Sequence, residues 1–181
     1  MSSDGKLMDM LTGYAAAHQH PFNVFVHLIG IPTILLGVLI PLSWVEFVIG
    51  AMHVSLAHIL VTGFTLFYLT LDRLFAFTFL VMALLLAAIA TRIGALPLAT
   101  SGAIAAAAFF GGYVLQFVGH AVEKSLPVLV KHPIQANLAA PFFTVVELFH
   151  LAGLRADLFE EVQLRIRAQR SAEQQASQGS S

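Results

Sequence analysis

Four apolar segments, each near the length needed to cross a bilayer's hydrocarbon core, restrict what this chain can fold into. They run from about Pro21 to Trp44, Phe47 to Leu71, Leu74 to Ala90 and Gly102 to Val118. A crossing takes roughly 20 mostly apolar residues, with about 17 as the lower bound, so the ends of the last two are set only to within a turn. No water reaches the bilayer core, so a spanning segment must satisfy its own backbone hydrogen bonds, as a helix does. The links are short: Asp72-Arg73 joins the second segment to the third, and Thr91 to Ser101 the third to the fourth. Short links make neighbouring helices antiparallel. Composition agrees, with 58% hydrophobic and 10% charged residues against about 45–50% and 25% in soluble domains. A small domain in water cannot hide that much apolar surface. The expected fold is therefore all-α, an integral membrane helical bundle of about four transmembrane helices.

A fifth stretch, about Ala136 to Leu154, is interrupted by Pro141, Glu147 and His150. It is expected to lie in the interface or to re-enter the bundle rather than to span. From Asp157 the sequence turns charged and then rich in Gln, Ser and Gly. This divides the chain into a helical membrane domain over 1–155, holding any metal site, and a polar C-terminal tail over 156–181. Met1 to Met10 contains Asp4, Lys6 and Asp9 and lacks the basic-then-apolar pattern of a leader, so the first span is expected to stay in the mature protein. With four spans, Lys6, Arg73, Lys124, Lys131, Arg155, Arg165, Arg167 and Arg170 share one side and Arg92 stands alone on the other. That bias predicts cytoplasmic termini, in a bacterial inner membrane or the endoplasmic reticulum membrane.

A formal net charge of −1 argues against a nucleic-acid partner. The absence of Cys removes disulfides, thiolate-bound zinc, iron–sulfur clusters and thiol catalysis. It leaves carboxylates and 8 histidines as the strong metal ligands. Imidazole or carboxylate at membrane depth is costly and calls for a partner, a cavity or a metal.

Two dense polar clusters stand out. In the first, Pro21 belongs in the first turn of a helix and pushes the residue before it out of helical geometry. The reading is a short helix to about Ala17, a break over His18 to His20, and a long helix from Pro21. Tyr14 and His18 share a face, as do Asn23 and His27. On one unbroken helix His18 and His27 would point about 180° apart; the break lets both face one centre. In the second cluster Gln116, His120 and Glu123 fall on one helical face, and Gly119 permits close approach by another helix. Helical bundles present metal ligands as His and Glu at such spacing, though usually as Glu-x-x-His. The simpler alternatives are that Asn23 and His27 hydrogen-bond to a neighbouring helix, and that Glu123 and Lys124 are solvated at a helix end.

The isolated groups read more plainly. His53 and His58, about 140° apart on a helix, cannot face one site and are expected to make separate hydrogen bonds. Asp72 either pairs with Arg73 or orients a histidine. His132 and His150 are expected to be structural or interfacial, and the Phe-rich stretches to pack or face lipid. Imidazoles with carboxylate and no sulfur suit Fe(II), Mn or Zn, and two histidines with one carboxylate form the oxygen-activating iron pattern. Rival readings are a transporter or proton relay using His53, His58 and His120, a zinc membrane hydrolase, and a scaffold whose histidines only pack.

The strings Tyr14-x3-His18-x4-Asn23-x3-His27-x2-Gly30-x-Pro32 and Gln116-Phe-x-Gly119-His120…Glu123-Lys124-x2-Pro127 resemble the signatures of the small membrane-bound 2-hydroxy fatty acid dioxygenases. A weaker third match is Gln135-x2-Leu138-x2-Pro141 followed by Glu147. The resemblance implies an iron(II)-dependent enzyme of fatty acid α-oxidation, taking a 2-hydroxy fatty acid and O2 to the acid one carbon shorter, CO2 and water. It implies Fe(2+) as cofactor, with His18, His27 and His120 as metal ligands or their immediate partners. Asn23, Gln116 and Glu123 would complete or orient that shell. No role transfers to His20. Lys124 is a candidate to attract the substrate carboxylate. The partners implied are the lipid bilayer, the 2-hydroxy fatty acid and O2.

Overall fold

A computed structural model describes residues 3–16, 20–124 and 133–178. The elements, in chain order, are α1 (Ser3–Ala16), α2 (Pro21–Ser43), β1 (Glu46–Ile49), β2 (Met52–Ser55), α3 (Leu56–Leu69), α4 (Arg73–Gly94), α5 (Leu98–Glu123), α6 (Pro133–Leu151) and α7 (Ala156–Gln178). Three helices, α2, α4 and α5, are long and apolar enough to cross a membrane, and a bent pair made from α6 and α7 raises the number to four if counted as one broken span.

Helices α2 and α5 form the axis of the bundle. They run antiparallel: Asn23 lies beside Gly119 and Gly37 beside Ala105 and Phe109. The helices approach closely because glycines alternate across the seam. A Cβ on Gly112 would lie 2.8 Å from the Gly30 carbonyl oxygen, and one on Gly37 would lie 2.6 Å from the Phe109 nitrogen. Helix α4 lies along α2 in the parallel sense, with the Ser43 hydroxyl 3.4 Å from the Ala90 carbonyl. It turns Ala76, Ala83, Ala87 and Ala90 inward, small residues that let backbones meet where the hydrophobic effect cannot drive association.

The segment expected to be the second span is not one helix. Its first part is an antiparallel hairpin, with Phe47 opposite Val54 and Ile49 opposite Met52. Gly50 begins the two-residue loop at φ +63°, a conformation glycine adopts without cost and hairpin loops require. The helix that follows has 14 residues, about 21 Å of rise against a core of about 30 Å. Hydropathy counts β-branched residues alike in strand and helix, which is why the segment resembles a span by composition. His53 therefore lies in no helix, and His58 sits in the first turn of the short α3. His53 is exposed on β2, 3.4 Å from Glu46, and His58 accepts the Ser55 N–H at Nδ1 (3.2 Å), closing the first turn of α3.

The fifth stretch is helical, as α6. Residues 141–146 are buried on every side, so α6 is a packed element of the bundle. Phe142 meets Tyr68 and Phe75, and the Tyr68 hydroxyl donates to the Leu138 carbonyl at 2.7 Å. The Phe-rich stretches divide accordingly: Phe75, Phe79, Phe142 and Phe143 are core, while Phe77 and Phe110 are exposed. The chain then bends by 112° through Gly153 and Arg155, both at positive φ. Along α7, Leu158, Val162 and Ile166 are buried at i, i+4, i+8 spacing, and Arg165 of this helix reaches Asp9 of α1 at 3.9 Å.

Candidate functional site

The site is built where α2 begins and α5 ends. Pro21 occupies the first turn of α2, and the residue before it, His20, is extended and caps the helix, its Nδ1 accepting the Phe22 N–H at 3.2 Å. Asn23 follows in the same turn, fully buried. Its side-chain Nδ2 donates to Oε2 of Glu123, whose Oε1 accepts the His20 backbone N–H at 3.0 Å. One carboxylate thus clamps the start of α2 to the end of α5. Gly119 makes this possible, since a Cβ there would run into Asn23 and Val26. The Asn23 Oδ1 is buried against it, with no hydrogen-bond partner among the described residues.

His27 lies one turn beyond Asn23 and His120 one turn before Glu123. Both are buried, at 5% and 3% exposure. The His27 Nδ1 donates to the Asn23 carbonyl at 2.8 Å, which leaves Nε2 as the lone-pair nitrogen, the arrangement that orients a metal-binding imidazole. The two rings stand edge to face with centroids 5.0 Å apart. Two imidazoles on one cation, with metal–nitrogen bonds of about 2.1 Å, have ring centres at about that separation. Among the described residues no group of three His, Asp or Glu side chains comes within reach of one cation. His18 lies outside the described residues.

A cavity of about 390 Å³ opens beside these rings. His27 and His120 stand at one end, with Gln116 about one turn along α5 from them and the Tyr113–Asn137 pair about two turns along. Its remaining walls are apolar, with Ile31, Leu35 and Val38 from α2, Leu60 and Phe64 from α3, and Phe109 from α5. A second, smaller cavity of about 60 Å³ meets His27 from the side of α1 and α7, with Glu147, His150 and Thr144 in its wall. Tyr14 borders both. Burial first, and then the charge of Glu147, lift its hydroxyl above the ordinary phenol range, so it stays a neutral donor.

The remaining candidates separate from the site. Lys124 ends α5 in the left-handed conformation, φ 56°; it is exposed and lines neither cavity. Asp72 does not pair with Arg73 and orients no histidine among the described residues. Its Oδ1 accepts the Phe75 N–H at 3.0 Å, and its Oδ2 binds Arg155, whose guanidinium sits 5.0 Å over the Phe75 ring. His150 stacks on Phe159, and His132 lies outside the described residues. Of the three histidines a proton path would need, only His120 lines the large cavity.

Sequence reasoning passed over Tyr113 and Asn137, whose side chains meet at 2.9 Å in the cavity wall. Tyr113 could have been found, because it lies three residues before Gln116 and seven before His120 on one helical face. Asn137 comes from α6 and carries no such signal. The backbone role of His20 toward Glu123 was equally silent.

Residues 5–151 match the family described as Mpo1-like, 2-hydroxy-palmitic acid dioxygenase Mpo1-like. The chain is 31% identical over 168 residues to the 2-hydroxy-palmitic acid dioxygenase MPO1 of Saccharomyces cerevisiae, covering 89% of this chain and 92% of that protein. No solved structure gives a significant match.

Proposed function

The chain belongs to the Mpo1-like family, and from that membership we propose that it is an iron(II)-dependent dioxygenase converting a 2-hydroxy fatty acid and O2 into the acid one carbon shorter, CO2 and water. The equation closes without a further reductant, because the substrate gives up the four electrons that O2 accepts. The observation that carries this reading is the shape of the large cavity. Two buried imidazoles stand at one end, Gln116, Tyr113 and Asn137 continue the polar lining past mid-depth, and apolar side chains form the rest, which suits a long acid with a polar head.

Imidazole donors without sulfur suit iron. His27 and His120 would hold it, with His18 completing the expected set. Bound there, iron would supply open positions and a stepwise electron route to triplet O2. The protein's own groups do the positioning. The Asn23 carbonyl fixes the tautomer and plane of His27. Glu123, through Asn23 and the His20 N–H, keeps the two helix ends, and hence the two rings, at their separation. Asn23 and Glu123 are positioning residues in this scheme. Gln116, one turn from His120, offers a hydrogen bond to the substrate's 2-hydroxyl or carboxylate, and the apolar walls keep water from the tail. Lys124, exposed at the end of α5, would draw carboxylates from the membrane surface.

The test is metal content and oxygen uptake of the untagged protein in lipid nanodiscs. Near-stoichiometric iron and uptake with 2-hydroxypalmitate are expected, lost in His27→Ala and His120→Ala and kept in His53→Ala, which alters only the exposed hairpin. A folded protein that retains no iron when loaded and consumes no O2 overturns the proposal.

A further inference from the structure

We propose that the acid reaches the large cavity sideways from the bilayer, through the gap between α5 and α6, and that the hydrogen bond between Tyr113 and Asn137 is the latch on that entrance. This deepens the function proposed above and rests on it for the identity of the head group. The entrance itself follows from where the lining residues are exposed.

Helix α5 is held along one edge. Its glycine seam meets α2, and 17% of its most apolar stretch is buried, against 44% for α2. Phe110, Val114 and Phe117 flank Tyr113 within about a turn and are 65%, 59% and 49% exposed. Phe117 also lines the cavity, so the lipid-facing side of α5 runs directly into the cavity wall. Across the gap α6 presents Ala136, Ala140 and Pro141, side chains too small to fill it. Its Asn137 lines the cavity and is itself exposed. The Tyr113 hydroxyl donates to the Asn137 Oδ1 at 2.9 Å, so a bond between two helices crosses the mouth.

The depth of that bond sets what it obstructs. His120 stands one turn before the end of α5, where the helix nears the bilayer surface, and Tyr113 lies seven residues deeper, about 10 Å. A single-chain acid in a leaflet holds its carboxylate at the surface and its tail inward, the same direction in which the cavity leads from its imidazoles. It can slide in without turning. Its head then arrives at His27 and His120, and its tail must cross the line from Tyr113 to Asn137. A phenol or amide left unpaired in hydrocarbon is costly, which closes the latch when the gap is empty. Side-chain bonds between helices in a bilayer bias an equilibrium by only about three- to twentyfold, which lets it open.

A reporter inside the cavity tests this without turnover. Trp44→Phe removes the chain's one Trp, and Leu60→Trp places one in the cavity wall. In nanodiscs, palmitic acid brominated along its tail quenches that Trp on arrival, followed by stopped flow. Tyr113→Phe keeps the ring and loses the bond. It should speed association and dissociation together, by about three- to twentyfold, with affinity nearly unchanged. Tyr113→Cys with Asn137→Cys, in a chain with no other Cys, is joined by a cleavable bifunctional thiol reagent. The link should slow entry by about tenfold or more, as loss of the open state requires, and its reduction should restore the rate. Unchanged rates in both variants, each still folded by its unfolding transition, overturn the proposal. So does a Tyr113→Phe protein that loses thermal stability or affinity with both rates untouched, the mark of a merely structural tie, and so does a Leu60→Trp protein that the acid never quenches. If the acid enters at the expected rates while no 2-hydroxy acid is consumed, the lateral entrance stands and the proposed reaction fails.

Discussion

Asn23 and Glu123 are a hundred positions apart and hold each other at the mouth of the bundle. Glu123 accepts at both oxygens, one from the Asn23 amide and one from the His20 N–H. An amide in its place must turn an NH2 toward one of those donors. The amide oxygen can keep the buried Asn23 donor and leave the exposed His20 N–H to water, so the loss is that of one charge-assisted hydrogen bond, about 1 kcal/mol. Glu123→Gln should therefore lower thermal stability by that amount and loosen iron retention, while Asn23→Ala removes the same link from the other side. The two losses should be non-additive in a double-mutant cycle; strict additivity would mean that the contact does not couple them. The sequence reveals this much of the site through spacing alone, because i, i+4 and i, i+3 place Asn23 with His27 and His120 with Glu123. It does not reveal which atoms meet. That depends on Gly119 and on the angle at which two distant helices cross.

At the scale of elements, the close approach of α2 and α5 depends on a few missing side chains. Gly119→Ala should collide with Asn23 and Val26, cost about 1–3 kcal/mol as overpacking does, and pull the two imidazoles out of register. Gly111 is the control. Nothing lies within 4 Å of the position its Cβ would take, so Gly111→Ala should be neutral or stabilise the helix by up to about 1 kcal/mol. Unfolding transitions of the two variants, measured in the same lipid, decide whether the seam or helix propensity governs. The tie between Asp72 and Arg155 fixes the bend after α6 to the start of α4. It is partly shielded, with the side chains 15% and 32% exposed. Asp72→Asn should cost about 1–2 kcal/mol, between the values for surface and buried pairs, and less at high salt. Helices such as α2 and α4 are legible from hydropathy, since apolar length at that scale has one solution in lipid. The hairpin was misread because Val48, Ile49 and Val54 are as apolar in a strand as in a helix. Its signals were the β-branched residues and Gly50.

For the whole molecule, the order of elements decides which groups share a face of the membrane. Helix α2 leads away from the histidine end, the hairpin and α3 lead back, α4 leads away, and α5 returns with His120 and Glu123. The return through α3 is the weak step, because about 21 Å of helix falls short of a 30 Å core. The shortfall assigns the hairpin to the far face. There its unpaired strand edges and its Gly50–Ala51 loop would reach water or head groups. Arg73, Lys124 and Arg155 then gather at the histidine end and Arg92 at the other, which predicts a cytoplasmic histidine end. The chain contains no Cys, so single cysteines report sidedness without background. In sealed vesicles of known orientation, a membrane-impermeant maleimide should label Ala51→Cys, at the hairpin loop, from the extracytoplasmic side. It should label Ala168→Cys, on α7, from the cytoplasmic side. Reversed labelling would invert the orientation while keeping the fold. Labelling of both from one side would mean that the chain does not return through α3, and would overturn the arrangement of α2 parallel to α4 and antiparallel to α5.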